Sequence, residues 1–264
     1  MIPPRPGEHP AIWLGPVDGQ PGRATQVVSG PSELVMARWA QPSALLTGAE
    51  HLRASRFRFD RDRRDFVAAH ALARVTGGAV LGVDPGRLTL VQRCDRCGEA
   101  HGAPSFAEAP GLGVSVSHTR GYVAAAVGPG RVGVDTEGTE SALPVDEGLA
   151  SAVLAARELE LLDAAPDRRH TFVRLWVRKE AMVKCGRGSL DDLSAVDVST
   201  TPLVDLSASP ACTRDPDGQF LLEWEDPEGG VVAAAVTAQP PRLAILRRGQ
   251  VGPELHDVPV VVRV

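Results

Sequence analysis

The feature that most constrains the fold is the stretch from residue 113 to 137, which turn residues divide into three short segments. Residues 113–118 alternate between apolar and polar side chains, and residues 122–127 return after a three-residue connection. Residues 131–137 begin after the breaker Gly128-Pro129-Gly130. Alternation with a period of two predicts strands, and a short connection between two of them predicts a hairpin. The chain therefore contains antiparallel sheet near its middle.

Helical patterns lie on both sides of this stretch. Residues 60–75 form an amphipathic pattern that Gly77 and Gly78 are expected to weaken. Further helices are predicted over about 145–164 and 167–184. Further strands are predicted over residues 11–14, 87–91, 220–224, 231–237, 243–247 and 260–264. We predict an α+β fold of two similar halves in one chain, residues 1–129 and 130–264, with antiparallel strands and packed helices.

Composition excludes several functional classes. The 264 residues carry a net charge of −5, which disfavours a protein-wide basic surface for nucleic acid. No apolar stretch of about 18 residues occurs, so we expect no membrane span. The first residues lack the pattern of a secretory signal, and four cysteines are too few for a disulfide scaffold. We expect a cytoplasmic protein.

Asp135 and Glu137 lie two residues apart in the predicted strand 131–137. Alternate residues of a strand project from one face, so both carboxylates point the same way. Neighbouring carboxylates repel unless water, a cation or a basic side chain separates them. The pattern indicates either an exposed strand end, which it favours when taken alone, or a cation site.

The helix predicted over 167–184 carries Glu180 and Lys184 one turn apart. Such a pair is ordinarily a surface ion pair worth a few tenths of a kcal/mol. However, Lys179 and Lys184 are the only lysines among 28 Lys and Arg residues. Arginine would serve a surface pair nearly as well, whereas a compact ammonium can approach a phosphoryl oxygen or release a proton. This turn of helix is therefore a candidate site.

Two other clusters have simple interpretations. Ser117 and His118 end a predicted strand, and as neighbours they point to opposite faces, which disfavours a Ser/His nucleophile pair. Cys94, Cys97 and His101 resemble half of a zinc site, but no second C-x-x-C pair supplies the missing ligand. A tight turn with reduced thiols is favoured over metal binding.

Asp135, Glu137 and Glu180 offer the hard oxygen ligands that Mg²⁺ takes together with substrate phosphates and water. Neither a Walker pattern nor a dinucleotide-binding glycine pattern occurs in the chain. These observations predict a Mg²⁺–diphosphate site on an unusual scaffold.

The order of these motifs resembles that of the surfactin-type 4′-phosphopantetheinyl transferases. That family carries a G-(V/I)-D-x-E strand followed by W-x-x-K-E-(A/S)-x-x-K on a helix. Residues 133–137 and 176–184 fit the two patterns. The family's strand ending in Ser-His is similar to residues 117–118, and its G-(K/R)-P loop to residues 102–104. The similarity extends from about residue 45 to 190, and the cysteine-containing lead-in looks like that of actinobacterial members.

The resemblance implies a pseudo-dimeric fold and a reaction. The 4′-phosphopantetheine group of coenzyme A would pass to a serine of an acyl or peptidyl carrier protein, releasing 3′,5′-ADP. Asp135, Glu137 and Glu180 would hold Mg²⁺, or Mn²⁺ in its place. Lys184 would contact the reacting phosphate, and Glu180, Glu158 or water would accept the serine proton. The catalytic residues implied are Asp135, Glu180 and Lys184.

The resemblance also implies how coenzyme A is held. Arg53 and His118 would bind the 3′-phosphate, and Gly102 and Pro104 would flank the adenine. Ser117 and Lys184 complete the implied set of coenzyme A contacts. The cleft would lie between the halves, and the protein would be a monomer.

An alternative is a catalytically weakened homologue that binds coenzyme A or carrier proteins without turnover. Its main support is Ala103, which occupies a position where the family usually has Lys or Arg. The intact carboxylates and Lys184 oppose it.

Overall fold

A computed structural model describes residues 25–38, 41–92, 98, 102–140, 145–207, 210–249 and 261–263. The described strands are β1 Thr25–Pro31, β2 Leu90–Gln92, β3 Pro104–Phe106, β4 Leu112–Thr119, β5 Tyr122–Pro129, β6 Val132–Gly138, β7 Ala211–Arg214, β8 Phe220–Asp226, β9 Val231–Thr237, β10 Pro241–Ile245 and β11 Val261–Arg263. The described helices are α1 Ser32–Arg38, α2 Gly48–Ala54, α3 Asp60–Leu81, α4 Glu147–Val153, α5 Ala156–Asp163 and α6 Arg168–Lys184. Short 3₁₀ turns occupy Pro42–Leu45, Pro85–Arg87 and Leu193–Ala195.

The strands form two main sheets that share one connectivity. The N-terminal sheet has the order β10-β1-β5-β4, and the C-terminal sheet has the order β11-β7-β8-β9-β6. In each sheet an opening strand, β1 or β6, pairs antiparallel with a closing strand, β5 or β9, which in turn pairs with its hairpin partner. A long helix, α3 or α6, intervenes after the opening strand. The prediction of an α+β fold with two similar halves is confirmed.

Alternating side chains place the two sheets face to face, with a helix on each outer side. Val28, Val123 and Ala125 pack with α3, whereas Val232 and Ala234 pack with α6. A third cluster fills the space between the sheets, and its members include Val27, Ala124, Val134, Leu222, Trp224 and Leu243. Because residues of successive positions enter different clusters, every central strand is buried on both faces. The result is an α/β/β/α arrangement of layers.

One strand crosses the chain division at residue 130. The strand β10 pairs in parallel with β1, so the N-terminal sheet is completed by residues from the C-terminal part of the sequence. Leu243 and Ile245 of this strand lie in the cluster between the sheets. The C-terminal half therefore supplies one strand to the N-terminal sheet, and the two halves also share a core.

The sequence located most strands and the helix α6 well. The strand predicted over 231–237 is β9, and the helix predicted over 167–184 is α6 with Asp167 as its N-cap. The strand predicted over 87–91 is a 3₁₀ turn followed by β2, and β1 and α1 were not predicted. The strand predicted over 11–14 lies outside the described residues.

Two helix predictions were wrong. The helix α3 continues through Gly77 and Gly78. A side chain at Gly77 would overlap the Phe106 ring, so the glycine there permits close packing rather than ending the helix. It ends at Gly82, whose φ of 69° is the left-handed conformation of a C-cap glycine. The single helix predicted over 145–164 is divided into α4 and α5, since the residues between them are extended.

No helix within the described part of the chain is both long enough and apolar enough to cross a membrane.

Candidate active site

The site lies where the edges of the two sheets meet, along β4 and β6. The edge strand β6 has main-chain N–H groups that its sheet partner β9 does not use. The Ser115 hydroxyl accepts the Val134 N–H at 3.0 Å, and the Ser117 hydroxyl accepts the Thr136 N–H at 3.3 Å. Side-chain hydroxyls of β4 thus take the place of a neighbouring strand, which satisfies buried donors. These two hydrogen bonds hold Ser117 beside Asp135, which lies between Val134 and Thr136.

Gly133 brings the helix α6 onto β6. A Cβ atom at this position would overlap the Ala181 carbonyl oxygen and lie 2.7 Å from the Cys185 amide nitrogen. Only glycine therefore permits the last turn of the helix to pack this closely. Gly133 and Asp135 share one face of β6, so the close approach also brings Lys184 to the carboxylate.

Asp135, Lys184 and Ser117 form a compact polar group. The Lys184 Nζ lies 2.6 Å from Asp135 Oδ1, and the Ser117 hydroxyl donates to the same oxygen at 2.8 Å. The distance from Lys184 Nζ to Ser117 Oγ is 3.4 Å. Asp135 is buried, while Lys184 remains 30% exposed at its side chain. The lysine therefore pairs across the site with Asp135, which agrees with the sequence argument against an ordinary surface pair with Glu180.

Glu137 and Glu180 add two half-buried carboxylates. The Thr119 hydroxyl and the Gly138 N–H both donate to Glu137 Oε1, at 3.2 and 3.1 Å. Burial raises the pKa of Glu180, and the negative charges of Asp135 and Glu137 raise it further, while Lys184 opposes them. The three predicted metal ligands thus lie close enough to affect one another's charge.

The donor set matches Mg²⁺ chemically, although the carboxylates do not converge fully. Among the described residues, no three His, Cys, Asp or Glu side chains are grouped closely enough to hold a metal ion. The Lys184 ammonium instead contacts the Asp135 oxygen that a cation would use. Asp135 and Glu137 nevertheless raise the pKa of Glu180 by repulsion, and a hard divalent cation would relieve that repulsion among the three carboxylates.

A second set of predicted residues meets at the N-terminal half. Arg53 Nη1 donates to Gln92 Oε1 at 3.0 Å, and Gln92 Nε2 lies 3.4 Å from the Gly102 carbonyl oxygen. Pro104 opposes Gln92 in the β2–β3 ladder. The structure therefore brings Arg53, Gly102 and Pro104 together. Sequence analysis missed Gln92, which belongs to no motif.

His118 is exposed and lies on the opposite face of β4 from Ser117, as predicted. Desolvation lowers its pKa, the nearby Asp65 carboxylate raises it, and Lys184 lowers it. The pKa of His118 is therefore affected by one charged residue of α3, Asp65, and by one of α6, Lys184.

Four residues that the sequence analysis considered are not in the site or lie outside the described residues. Glu158 is fully buried, its Oε2 lies 2.5 Å from Lys179 Nζ, and its Oε1 accepts the Val198 N–H at 2.7 Å. Because both oxygens have internal partners and no exposure, Glu158 is excluded as a general base. Cys94, Cys97 and His101, for which a tight turn was favoured over a zinc site, lie outside the described residues.

A cleft of about 640 Å³ opens between the halves at the Gly121 turn. Its lining includes Arg61, Arg64 and Asp65 from α3, together with Asp226 and Arg247. The lining does not include Asp135, Glu137, Glu180 or Lys184, so this cleft is separate from the carboxylate group. A substrate cleft between the halves, where Asp135 follows the hinge near residues 128–131, stays a prediction.

Comparison with known proteins gives two matches. The family model described as the 4′-phosphopantetheinyl transferase superfamily matches residues 131–236, which contain Asp135, Glu137, Glu180 and Lys184. The curated protein 4′-phosphopantetheinyl transferase psf-1 of Bacillus pumilus is 28% identical over 145 residues, which are 54% of this chain and 55% of that protein. The chain thus spans about half the length of the curated relative it matches.

Proposed function

We propose that the chain moves the 4′-phosphopantetheine group of coenzyme A to a carrier protein, because its residues 131–236 match the model of the 4′-phosphopantetheinyl transferase superfamily. The acceptor is a serine hydroxyl of an acyl or peptidyl carrier protein. The second product is 3′,5′-ADP. We propose further that the enzyme acts as a monomer, since its two halves supply internally what a subunit pair would share.

The observation that carries this proposal is the group formed by Asp135, Glu180 and Lys184. In phosphoryl transfer, catalysis consists largely of positioning and of stabilising charge on the phosphate oxygens. An ammonium 2.6 Å from a buried carboxylate, with a second carboxylate of raised pKa beside it, supplies both a cationic and a basic group.

A divalent cation would complete this site. Mg²⁺, or Mn²⁺, would neutralise charge on the diphosphate when bound, and Asp135, Glu137 and Glu180 would hold it. The Thr119 and Gly138 bonds to Glu137 Oε1 leave its second oxygen for this purpose.

The chain's own residues would then divide the chemistry. Lys184 donates a hydrogen bond to the phosphate that is attacked and stabilises the leaving phosphate of 3′,5′-ADP. Glu180, directly or through water, accepts the proton of the carrier serine.

The nucleotide end of coenzyme A would lie against the N-terminal half. Arg53 and His118 would contact the 3′-phosphate, Ser117 and Lys184 would contact the diphosphate side, and Gly102 and Pro104 would flank the adenine. The exposed guanidinium of Arg53 and its link to Gly102 through Gln92 support this arrangement.

Mass spectrometry of an apo carrier protein incubated with coenzyme A, Mg²⁺ and the enzyme tests the proposal. We expect the carrier to gain the mass of one 4′-phosphopantetheine group, and a carrier with its acceptor serine replaced by alanine to gain none. Trials with fatty-acid, polyketide and peptide-synthetase carriers identify the substrate. Binding of coenzyme A without any mass gain in any carrier would favour the weakened binding homologue instead.

A further inference from the structure

We propose that Gln92 is a positioning residue that joins Arg53 and the Gly102 loop into one recognition unit for the 3′-phosphoadenosine end of coenzyme A. The inference rests on the proposed function, because it concerns how that substrate is held. It adds a residue that no motif indicates and that the family match, residues 131–236, does not reach.

The strand register aims Gln92 at both partners. Leu90 and Gln92 share one face of β2, and Leu90 is buried in the core beneath α3. The Gln92 side chain therefore lies on the helix side, where its amide oxygen accepts from Arg53 at 3.0 Å. Its amide nitrogen lies 3.4 Å from the Gly102 carbonyl oxygen. One side chain thus uses its acceptor on the basic residue and its donor on the loop.

The Arg53 guanidinium also packs on an aromatic ring of α3. Its guanidinium carbon lies 5.5 Å from the centre of the Phe66 ring, a cation–π distance. The Phe66 ring stacks on His70 with 4.0 Å between centres, and His70 Nδ1 lies 2.6 Å from Glu50 Oε1. Gln92 is the sole hydrogen-bond partner of the Arg53 side chain among the described residues, so the other guanidinium N–H groups remain for an anion.

This arrangement preorganises an exposed arginine. A long exposed side chain samples several rotamers, and fixing it upon ligand binding costs entropy. Gln92 and Phe66 hold Arg53 in one place before the ligand arrives. Because the 3′-phosphate does not react, the benefit is equal in ground and transition states and affects KM rather than kcat.

Gln92→Met tests the inference, since it keeps the side-chain length while removing both hydrogen bonds. Titration calorimetry would compare 3′,5′-ADP with AMP, which lacks the 3′-phosphate. We expect the preference for 3′,5′-ADP to fall about threefold to tenfold, the value of roughly one hydrogen bond. In the transfer assay KM for coenzyme A should rise while kcat is unchanged. Val91→Ala, on the exposed opposite face of the same strand, should change neither quantity.

A double-mutant cycle with Arg53→Ala separates positioning from general structural damage. If Gln92 acts through Arg53, Gln92→Met should have no further effect on the preference once Arg53 is absent. An equal effect in both backgrounds would overturn the inference, as would an unchanged preference in Gln92→Met. If the unaltered protein bound neither nucleotide nor coenzyme A and modified no carrier, the proposed function itself would fail.

Discussion

The two lysines of α6 differ in burial: Lys179 is enclosed in the protein, whereas Lys184 is partly exposed at the candidate site. Lys179 is fully buried and bonds Glu158, the Leu193 carbonyl and the Val196 carbonyl. Lys184 is partly exposed and pairs with Asp135. In a chain that uses arginine elsewhere, both positions need a compact ammonium. Lys179 fits a closed internal site, whereas the proposed function would place a substrate phosphate at the exposed side of Lys184.

We predict that Lys184→Arg lowers the transfer rate about a hundredfold, the scale on which a principal electrostatic group is lost. The guanidinium retains the charge but spreads it over a planar group, and unlike an ammonium it cannot release a proton near neutral pH. Steady-state rates of carrier modification measure the effect. Activity close to the parent value would mean that charge alone matters at this position.

We predict that Asp135→Ala and Glu180→Ala each reduce the rate by about 10² or more while the fold survives. Each change removes one carboxylate from the group that would face the diphosphate. Glu160→Ala, an exposed change on α5, serves as the control and should leave the rate unaltered. Circular dichroism checks the fold, and near-normal turnover by either site variant would remove that residue from the site.

At the residue scale the sequence predicted which side chains share a strand face better than it predicted which side chains touch. Period-two alternation placed Asp135 and Glu137 on one face, and the structure confirms it. The pairing of Lys184 with Asp135 depends on how α6 packs on β6, and the sequence alone does not specify that packing. Gln92 was missed because its two partners, Arg53 and Gly102, are distant in sequence or lie in a loop without a fixed pattern.

At the scale of elements, one glycine and one carboxylate hold the two long helices in place. Gly133 lets the end of α6 contact β6, as described above. Glu50, at the start of α2, binds the Arg74 guanidinium of α3 through both oxygens, at 3.0 and 2.6 Å. The same carboxylate contacts His70 and closes a capping box with Thr47. These contacts were not predictable from local periodicity, since each joins separate elements.

We predict that Gly133→Ala destabilises the protein by about 1–3 kcal/mol, the usual cost of overpacking. The added methyl group would push α6 from β6 and lengthen the Lys184–Asp135 contact, so activity should fall as well. Gly111→Ala is a matched control, because a Cβ atom there meets nothing within 4 Å. Urea denaturation and transfer rates measure both effects, and equal stability of the two variants would contradict the packing argument.

We predict that Glu50 contributes about 3 kcal/mol at neutral pH that is lost on acidification. Burial alone would raise its pKa, but hydrogen bonds from His70, Arg74 and Thr47 lower it from 4.5 to about 2. A lowered pKa in the folded state stabilises the protein above about pH 4.5, and the contribution disappears as the pH falls towards 2.

Urea denaturation of Glu50→Gln at pH 7, 4 and 3 measures this dependence. The variant should be less stable than the parent at pH 7, and the difference should shrink at each lower pH. A difference that stayed constant with pH would show that the carboxylate charge is not what stabilises the pairing.

At the scale of the whole molecule, the sheets are joined by three connections of different kinds. Serine hydroxyls bridge the edges of β4 and β6, an apolar layer fills the space between the sheets, and β10 returns to pair with β1. Tyr122 adds a buried link, donating to Asp226 of the opposite sheet at 2.9 Å. The long helix and the central strands of each half were readable from the sequence, whereas β1 and α1 were not. The return of β10 was not, because a short apolar strand carries no signal of which sheet it will join.

Expression of residues 1–129 and 130–264 as separate chains tests this mutual dependence. Without β10, the strand β1 would expose an unpaired edge along Thr25–Ser29, and Val27 would lose its cover from Leu243 and Ile245. An open apolar edge of this kind promotes aggregation. We predict that the fragment 1–129 alone is unfolded or aggregated, whereas co-expression of both fragments yields a soluble 1:1 complex with transferase activity. Size-exclusion chromatography and cooperative thermal unfolding distinguish these states. Cooperative unfolding by 1–129 alone would show that the N-terminal sheet is complete without its borrowed strand.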